Sequence, residues 1–173
     1  MTAVRRLSEG DESPLAAFLA ALPPGDRTFI KEEVTDPGVP RAWIEDRETY
    51  RAVAVADGAI LGLVAISPGM GWSSHVGELR LVVHPAHRRR GLGSELARQA
   101  VLEAVRMGLL KLVVEVVAAQ EPAVAMFTGL GFEAEALLRD QIRDRTGELR
   151  DVLVLAHRVD DNWSGLATLG LDR

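Results

Sequence analysis

Residues 78–94 read Glu78-Leu79-Arg80-Leu81-Val82-Val83-His84-Pro85-Ala86-His87-Arg88-Arg89-Arg90-Gly91-Leu92-Gly93-Ser94. An apolar run ends at Pro85, a basic turn follows, and an amphipathic segment extends from Gly91 to Met107. This order predicts a strand, a tight turn and the N-terminus of a long helix. Such a turn points unpaired backbone N–H groups at one spot, where the helix dipole adds partial positive charge. The stretch therefore predicts a binding site for a phosphate or pyrophosphate.

The side chains of the turn favour the same interpretation, although each is a weak signal alone. Gly91 and Gly93 have no Cβ, so a phosphate can approach the backbone and the turn can adopt a positive φ. The three arginines at 88–90 add donors that contribute about 1.5–3 kcal/mol each when they engage an anion. An isolated arginine triplet is more often a solvated patch. The pattern is not the dinucleotide fingerprint, because Leu96 occupies the third glycine position, and no Walker loop follows.

Hydrophobic spacing predicts helices and strands on both sides of this stretch. Apolar residues from Leu15 to Leu22 recur at helical spacing behind Ser13-Pro14, which predicts a helix with Ser13 as its cap. Asp57-Gly58 joins two apolar runs and predicts a hairpin of strands at 51–56 and 60–66. The remaining predicted elements are a strand at 5–7, a helix around 39–48, strands at 77–84 and 111–119, a helix at 121–128, and a closing hairpin of strands at 137–143 and 149–156.

This order of elements predicts one mixed α/β domain over residues 1–159, with a largely antiparallel central sheet flanked by helices. The segment 160–173 carries Trp163, Leu166, Leu169 and Leu171. These apolar side chains predict that the tail packs on the body of the domain or on a second subunit of a homodimer. The sequence does not decide between the two.

Composition narrows the class of protein. The 173 residues are 47% hydrophobic and 26% charged, as in soluble globular proteins. A net charge of −5 disfavours a nucleic-acid binder, which normally has a basic footprint. Residues 1–10 lack the apolar run of a signal peptide, and the apolar stretch 112–119 is too short to span a bilayer. We therefore expect a cytoplasmic protein without nucleic-acid or membrane partners. Without cysteine, and without histidines at metal-ligand spacing, we expect no metal site.

The residues Arg88-Arg89-Arg90-Gly91-Leu92-Gly93 match the acetyl-CoA motif Gln/Arg-x-x-Gly-x-Gly/Ala without a gap. In this motif, and in the preceding Val82-Val83-His84-Pro85, the chain resembles the GNAT superfamily of N-acetyltransferases. Residues 111–116 and 123–132 are similar to that family's fifth strand and next helix, so the resemblance covers about residues 51–156. It implies a GNAT-like acyl-CoA N-acyltransferase fold with a V-shaped opening between the strands at Val82 and Val113.

The resemblance also implies how acetyl-CoA is held. Main-chain amides from Arg89 to Ser94 would hold its pyrophosphate, and backbone groups of Val82 and Val83 would pair with the pantetheine arm. The N–H of Val83 would face the thioester oxygen and stabilise the oxyanion that forms on attack. The expected cofactor-binding residues are Val82, Val83, Arg88, Arg89, Arg90, Gly91, Leu92, Gly93, Ser94 and Phe127.

Two glutamates are candidates for the catalytic base, because attack on a thioester needs an unprotonated amine. Glu78 lies four residues before Val82, where relatives often have a glutamate base; a surface ion pair with Arg80 is the alternative. Glu115 interrupts an apolar strand, so it must face water, a cavity or a partner. Phe127 stands where the family usually has a tyrosine near the CoA sulfur. The CoA thiol has an ordinary pKa of about 8.5, so its thiolate is a tolerable leaving group at neutral pH. Water could reprotonate this thiolate in place of the tyrosine.

The sequence thus predicts an acetyl-CoA-dependent N-acetyltransferase that transfers the acetyl group directly to a primary amine, since no cysteine exists to carry it. The acceptor is a small-molecule or peptide amine. Seven acidic and four basic residues between 26 and 49 give a local net charge of −3, which hints at a cationic acceptor. A CoA-binding sensor or regulatory module without catalysis is the alternative, motivated by Phe127, and a longer acyl donor stays open. The acidic balance disfavours a nucleic-acid module that uses the arginine triplet.

Overall fold

The computed structural model describes residues 2–28, 30 and 33–159, so the expected packing of the 160–173 tail lies outside the described residues. The helices and strands are β1 (Ala3–Arg6), α1 (Glu12–Ala21), α2 (Pro24–Thr28), α3 (Val39–Glu45), β2 (Tyr50–Ala56), β3 (Ala59–Pro68), β4 (Val76–Val83), α4 (Leu92–Arg106), β5 (Lys111–Val117), α5 (Glu121–Gly129), β6 (Glu133–Arg143) and β7 (Leu149–Arg158). Within this part of the chain, seven strands form one sheet in the order β1-β2-β3-β4-β5-β7-β6. β4 and β5 are parallel, and the other neighbouring pairs are antiparallel. The predicted fold class, a mixed and largely antiparallel sheet with flanking helices, is confirmed.

Helices cover both faces of the sheet, and the alternation of side chains along each strand divides the core into two layers. One layer packs against α4 and α5 and includes Ala52, Val64, Leu79, Leu96 and Leu112. The other packs against α1 and α3 and includes Leu15, Phe18, Val53, Leu63 and Ala65. The position of a residue along its strand therefore decides which helical layer its side chain meets.

Local sequence signals account for the elements that border the central opening of the sheet. Asp57 and Gly58 have φ angles of 50° and 78°, the left-handed pair of a tight hairpin turn, and the predicted β2–β3 hairpin is confirmed. Gly108, with φ of 71°, follows the end of α4, where a left-handed glycine commonly terminates a helix. The predicted apolar face of α4 is buried at Leu92, Leu96, Ala97, Ala100, Val101 and Ala104.

The start of α1 differs from the prediction. The helix begins at Glu12, before Ser13-Pro14, and the 3-10 turn Glu9–Asp11 precedes it. Asp11 Oδ2 accepts hydrogen bonds from the backbone N–H and the hydroxyl of Ser8, both at 2.9 Å. Arg5 donates to both carboxylate oxygens of Asp11 at 2.6 Å. This network, and not a cap by Ser13, orders the chain ahead of the helix.

Two further elements differ from the prediction. α2 was not among the predicted elements, and a proline such as Pro24 is compatible with the first turn of a helix. β6 begins at Glu133, before the predicted start at Leu137, because Glu133 pairs with Ala156 of β7.

Candidate active site

The sheet opens between β4 and β5. Their ladder joins Val76–Glu78 to Lys111–Val113 and stops there. At this closed end Gly77 is closely packed, since a Cβ there would lie 2.7–3.0 Å from three neighbouring side chains. Beyond the ladder, β4 continues along β3 and β5 continues along β7. The opening expected between these two strands is therefore present.

The backbone of β4 directs alternate residues into the opening. In an antiparallel pair, the N–H and C=O of one residue point to the same neighbouring strand, and successive residues alternate. The N–H of His84 donates to the carbonyl of Leu61 in β3 at 2.8 Å, and the β3–β4 register is continuous. Leu81 and Val83 therefore direct their N–H and C=O groups into the opening. The backbone of Val82 faces β3 instead.

A cavity of about 830 Å³ occupies the space between β4, β5 and the turn that follows β4. Neither Arg90 nor Leu92 is among the described residues of its wall, and Leu92 is buried in the α4 layer. The structure thus brings both candidate bases and most of the motif into one cavity. The expected site residues that line it are Glu78, Val82, Val83, Arg88, Arg89, Gly91, Gly93, Ser94, Glu115 and Phe127.

The turn ends in left-handed backbone, and the helix N-terminus follows at once. Arg89 and Gly91 have φ angles of 59° and 80°, and α4 begins at Leu92. The N–H of Glu95 donates to the carbonyl of Gly91 at 3.0 Å. The amides of Leu92, Gly93 and Ser94 lie in the first turn of the helix, where no intrahelical carbonyl is available to them. This is the arrangement that binds anions at helix N-termini.

The two glycines of the motif meet different physical needs. At Gly91 a Cβ would have no atom within 4 Å, but the φ of 80° is one that other residues rarely adopt. At Gly93 a Cβ would lie 3.0 Å from Sδ of Met126 in α5. Close packing of α4 on α5 therefore disfavours a Cβ at Gly93. The local sequence gives no signal for this contact between α4 and α5.

The side chain of Arg88 is engaged within the protein. Its Nε donates to the carbonyl of Val83 at 3.1 Å, and its Nη2 forms an ion pair with Asp26 of α2. Arg88 therefore ties the end of β4 to the turn and to α2.

Glu78 and Glu115 enter the cavity from the same face of the sheet. Leu79 and Val114 point into the layer under α4, so alternation puts the two glutamates on the α1–α3 face. Glu78 Oε1 lies 3.4 Å from Arg80 Nε, and the Glu78 side chain is 34% exposed. The ion pair considered as an alternative to catalysis is therefore formed, and Glu78 still lines the cavity.

No tyrosine lines the cavity within the described residues. Phe127 is buried and packs against Phe132 with ring centres 5.2 Å apart. Tyr50 is the single tyrosine of the chain, and it is buried in the α4 layer with the Arg6 guanidinium 5.5 Å from its ring centre. Burial and the negative charge of Glu103 raise the pKa of Tyr50 above its usual value. A phenol in this place cannot protonate a group in the cavity.

Three of the seven acidic residues between 26 and 49, Asp26, Glu45 and Asp46, form ion pairs within the protein. Glu32 lies outside the described residues, and of the other acids in this segment Asp26 lines the cavity. The hint of a cationic acceptor is weaker than the net charge of the segment indicates. The pairs are Asp26 with Arg88, Glu45 with Arg41 at 2.8 Å, and Asp46 with Arg51 at 2.6 Å.

Arg51 lines the cavity and was not predicted as a site residue. It is 5% exposed, donates to Asp46 Oδ2 at 2.6 Å, and lies 5.0 Å from a ring centre of Trp43. Burial alone would raise the pKa of Asp46, but Arg51 and nearby backbone N–H groups lower it more, to about 2. The sequence signal was an arginine inside an apolar strand, since a buried arginine requires a partner.

Gln141 was also missed. Asp140 has φ of 52°, and the β6–β7 register shifts between Leu138 and Ile142. This irregularity belongs to a stretch of β6 from which Gln141 and Ile142 line the cavity. No glycine or proline marks it in the sequence.

Within the described part of the chain, no helix combines the length and apolar character needed to cross a membrane. The same residues contain no group of three or more histidine, aspartate or glutamate side chains arranged to hold a metal ion.

Comparison with known sequences identifies the protein family to which this chain is similar. The profile of the acetyltransferase (GNAT) family matches residues 16–132, which is more than half of the chain. A phosphinothricin N-acetyltransferase of Streptomyces viridochromogenes is 27% identical over 112 residues, 61% of this chain. The match likewise spans 61% of that relative, which is less than two thirds of its length.

Solved structures share the fold at low sequence identity. A GNAT-family acetyltransferase from Streptococcus pneumoniae has a TM-score of 0.77 at 20% identity, covering 91% of this chain and 99% of that one. An N-acetyltransferase from Staphylococcus aureus Mu50 has a TM-score of 0.80 at 16% identity, covering 92% and 99%. A Salmonella typhimurium protein described as an acetyltransferase, solved with acetyl-CoA as its cofactor, has a TM-score of 0.77 at 20% identity, covering 93% and 95%. With its profile match, its sheet and its motif turn, the chain belongs to the GNAT acetyltransferase family.

Proposed function

We propose that the chain transfers the acetyl group of acetyl-CoA directly to the nitrogen of a primary amine. The observation that carries the proposal is that three features meet in one cavity: the β4–β5 opening, the N-terminus of α4 and the carboxylate of Glu78. The relative from Streptomyces is named for N-acetylation, which supports nitrogen as the accepting atom.

The residues around the opening suit acetyl-CoA. The amides from Arg89 to Ser94 would hold the pyrophosphate at the helix N-terminus. Leu81 and Val83 direct backbone groups into the opening, where the pantetheine arm would pair with them in place of a further ladder. When bound, acetyl-CoA supplies an acetyl group activated as a thioester.

The chain's own groups would then manage the protons and the developing charge. Glu78 would accept the proton of the acceptor ammonium, directly or through water, so that the nitrogen lone pair can attack. The N–H of Val83 would donate to the carbonyl oxygen as negative charge grows there. The CoA sulfur would leave as a thiolate whose thiol has an ordinary pKa of about 8.5, so the second proton lost by the attacking nitrogen can reach it through water, without a tyrosine. A phenylalanine at position 127 is therefore compatible with the proposed reaction, because no side chain is needed to protonate the CoA sulfur.

We assign Arg88 a positioning role in addition to the phosphate contact predicted from the triplet. Its hydrogen bond to the Val83 carbonyl orients the peptide next to the proposed oxyanion donor. Arg89, which lines the cavity, is the stronger candidate for direct contact with the pyrophosphate. Contact by the exposed Arg90 stays a prediction.

An amine-panel assay that measures release of free CoA tests the proposal, with amino acids, polyamines, aminoglycosides and peptides as acceptors. We expect acceptor-dependent release by the wild type. Glu78→Gln removes the proposed base and should lower kcat by about 10²- to 10⁴-fold. Glu115→Gln is the matched control on the facing strand, and we expect a smaller loss because Glu78 keeps its role.

Two outcomes would contradict this assignment. Binding of acetyl-CoA without release across the whole panel would favour the alternative of a CoA-binding sensor. Release by Glu78→Gln at the wild-type rate would remove Glu78 from the chemistry.

A further inference from the structure

Asp26 of α2 places a carboxylate in the wall of the cavity that would hold the pyrophosphate of acetyl-CoA. A negative charge there opposes the binding of a polyanion unless a cation compensates it. The backbone around Asp26 has other anchors, since its N–H donates to the carbonyl of Pro23 at 3.0 Å and Arg27 Nη2 donates to the carbonyl of Ala20 at 2.7 Å. The carboxylate therefore needs a reason other than the folding of α2.

The partner of this carboxylate is Arg88, which follows β4 in the motif turn. Arg88 Nη2 donates to Asp26 Oδ2, and Arg88 Nε donates to the carbonyl of Val83 at 3.1 Å. A guanidinium is a rigid planar fork, so two partners fix its orientation, whereas one hydrogen bond would let it rotate. Asp26 thus determines how firmly Arg88 stays on the carbonyl of Val83.

A contribution to stability does not account for this ion pair. The Arg88 side chain is 43% exposed and that of Asp26 is 22% exposed. Ion pairs that water can reach contribute little to stability, because water screens the charges and because holding two long side chains in one geometry costs entropy. The effect of the pair on the site is the better explanation.

We infer that Asp26 is a positioning residue for acetyl transfer, which holds Arg88 on the carbonyl of Val83 and limits its movement toward the pyrophosphate. The inference rests on the proposed function, in which the N–H of Val83 stabilises the oxyanion. That N–H and the carbonyl held by Arg88 belong to the same residue, so the backbone torsion angles of Val83 relate their directions. Fixing the carbonyl keeps the N–H aimed at the thioester oxygen while negative charge develops there.

Asp26→Asn tests the inference, because a damaged site would lose both turnover and cofactor affinity, whereas loss of positioning lowers turnover alone. We expect kcat with the best amine of the panel to fall by about three- to tenfold, the size of effect of one ordinary hydrogen bond. The Kd for acetyl-CoA, measured by calorimetric titration, should not rise, since one negative charge leaves the cavity wall. Asp26→Glu retains the charge and should keep most of the wild-type kcat.

Glu45→Gln is the matched control. It also removes an acid that is paired with an arginine, Arg41, at 2.8 Å, but Glu45 is not among the described residues of the cavity wall. This variant should keep the wild-type kcat and Kd. In the Arg88→Gln background, adding Asp26→Asn should lower kcat no further, because Asp26 acts through Arg88.

The outcomes separate this inference from the proposed function. Wild-type kcat in Asp26→Asn would overturn the inference and leave the proposed function intact. A parallel loss of kcat and acetyl-CoA affinity would overturn it as well, and so would an equal further loss of kcat in the Arg88→Gln background. No turnover by the wild type with any amine of the panel would instead contradict the proposed function, and the inference with it.

Discussion

Two residues of left-handed backbone, Arg89 and Gly91, shape the turn between β4 and α4. A non-glycine residue in this conformation costs about 1–2 kcal/mol, and such strain often lies at functional sites. At Arg89 the strained backbone belongs to a residue that lines the cavity. The cost is consistent with a turn whose shape serves binding and not local stability.

Replacement of Gly91 by valine should weaken acetyl-CoA binding by at least about tenfold, because a β-branched residue cannot hold the turn's φ of 80° without strain. The turn amides would then lose their common direction. Calorimetric titration with acetyl-CoA measures the change.

Gly58→Val is the matched control for this variant. Gly58 has φ of 78° and open space around its Cβ position, but it lies in the β2–β3 turn away from the cavity. Both variants should lose similar stability, and Gly91→Val alone should lose affinity. Wild-type affinity in Gly91→Val would count against the pyrophosphate site.

The residues of the motif could be recognised from the sequence. The structural reason for each of them could not always be derived from it. Gly91 is required by its φ, as the turn pattern predicted. At Gly93 a Cβ is disfavoured by the close approach of Met126, which comes from another helix. The involvement of Arg88 with Asp26 likewise joins residues that are far apart in the chain. Contacts between residues that are far apart in the chain cannot be recognised from the local sequence pattern.

Among the secondary-structure elements, α1 depends on a polar network in front of it. The hydrogen-bonded guanidinium of Arg5 lowers the pKa of Asp11 to about 2, against the effect of burial and with help from Ser8. Because this pKa lies below its ordinary value of 3.8, the ionised carboxylate stabilises the fold above about pH 4. That stabilisation is lost as the pH falls from there toward 2.

Asp11→Asn should therefore lower the free energy of unfolding by about 1.5–3 kcal/mol at pH 7, the usual cost of losing hydrogen bonds to a charged group. The difference from the wild type should shrink as the pH falls from 4 toward 2. Urea unfolding at a series of pH values measures it, with the turn substitution Asp57→Asn as the control. A difference that stays constant over this range would exclude the ionised carboxylate as its cause.

The elements with strong periodicity were predictable, and those set by distant contacts were not. The apolar face of α4 and the Asp57-Gly58 hairpin follow from spacing and turn chemistry within a few residues. The start of α1 does not, because Arg5 and Asp11 come from different elements. The irregularity near Gln141 depends on how β6 pairs with β7.

For the sheet as a whole, the decisive feature is the place where pairing stops. β4 and β5 share a ladder from Val76 to Glu78 and then separate, so backbone groups of β4 face a cavity and not another strand. The resemblance to a family implied this opening, whereas hydrophobic spacing alone gave the strands without their divergence. Arg51 of β2, Ala65 of β3 and Arg80 of β4 are in register with one another, and this alignment likewise depends on the pairing of three strands, which no local pattern specifies.

A crystal structure of the protein soaked with acetyl-CoA tests the central claim most directly. We expect the pyrophosphate within hydrogen-bond distance of the amides from Arg89 to Ser94, and the pantetheine arm paired with the backbone of Leu81 and Val83. Density for the cofactor elsewhere, or turn amides bonded to other groups of the protein, would contradict the account.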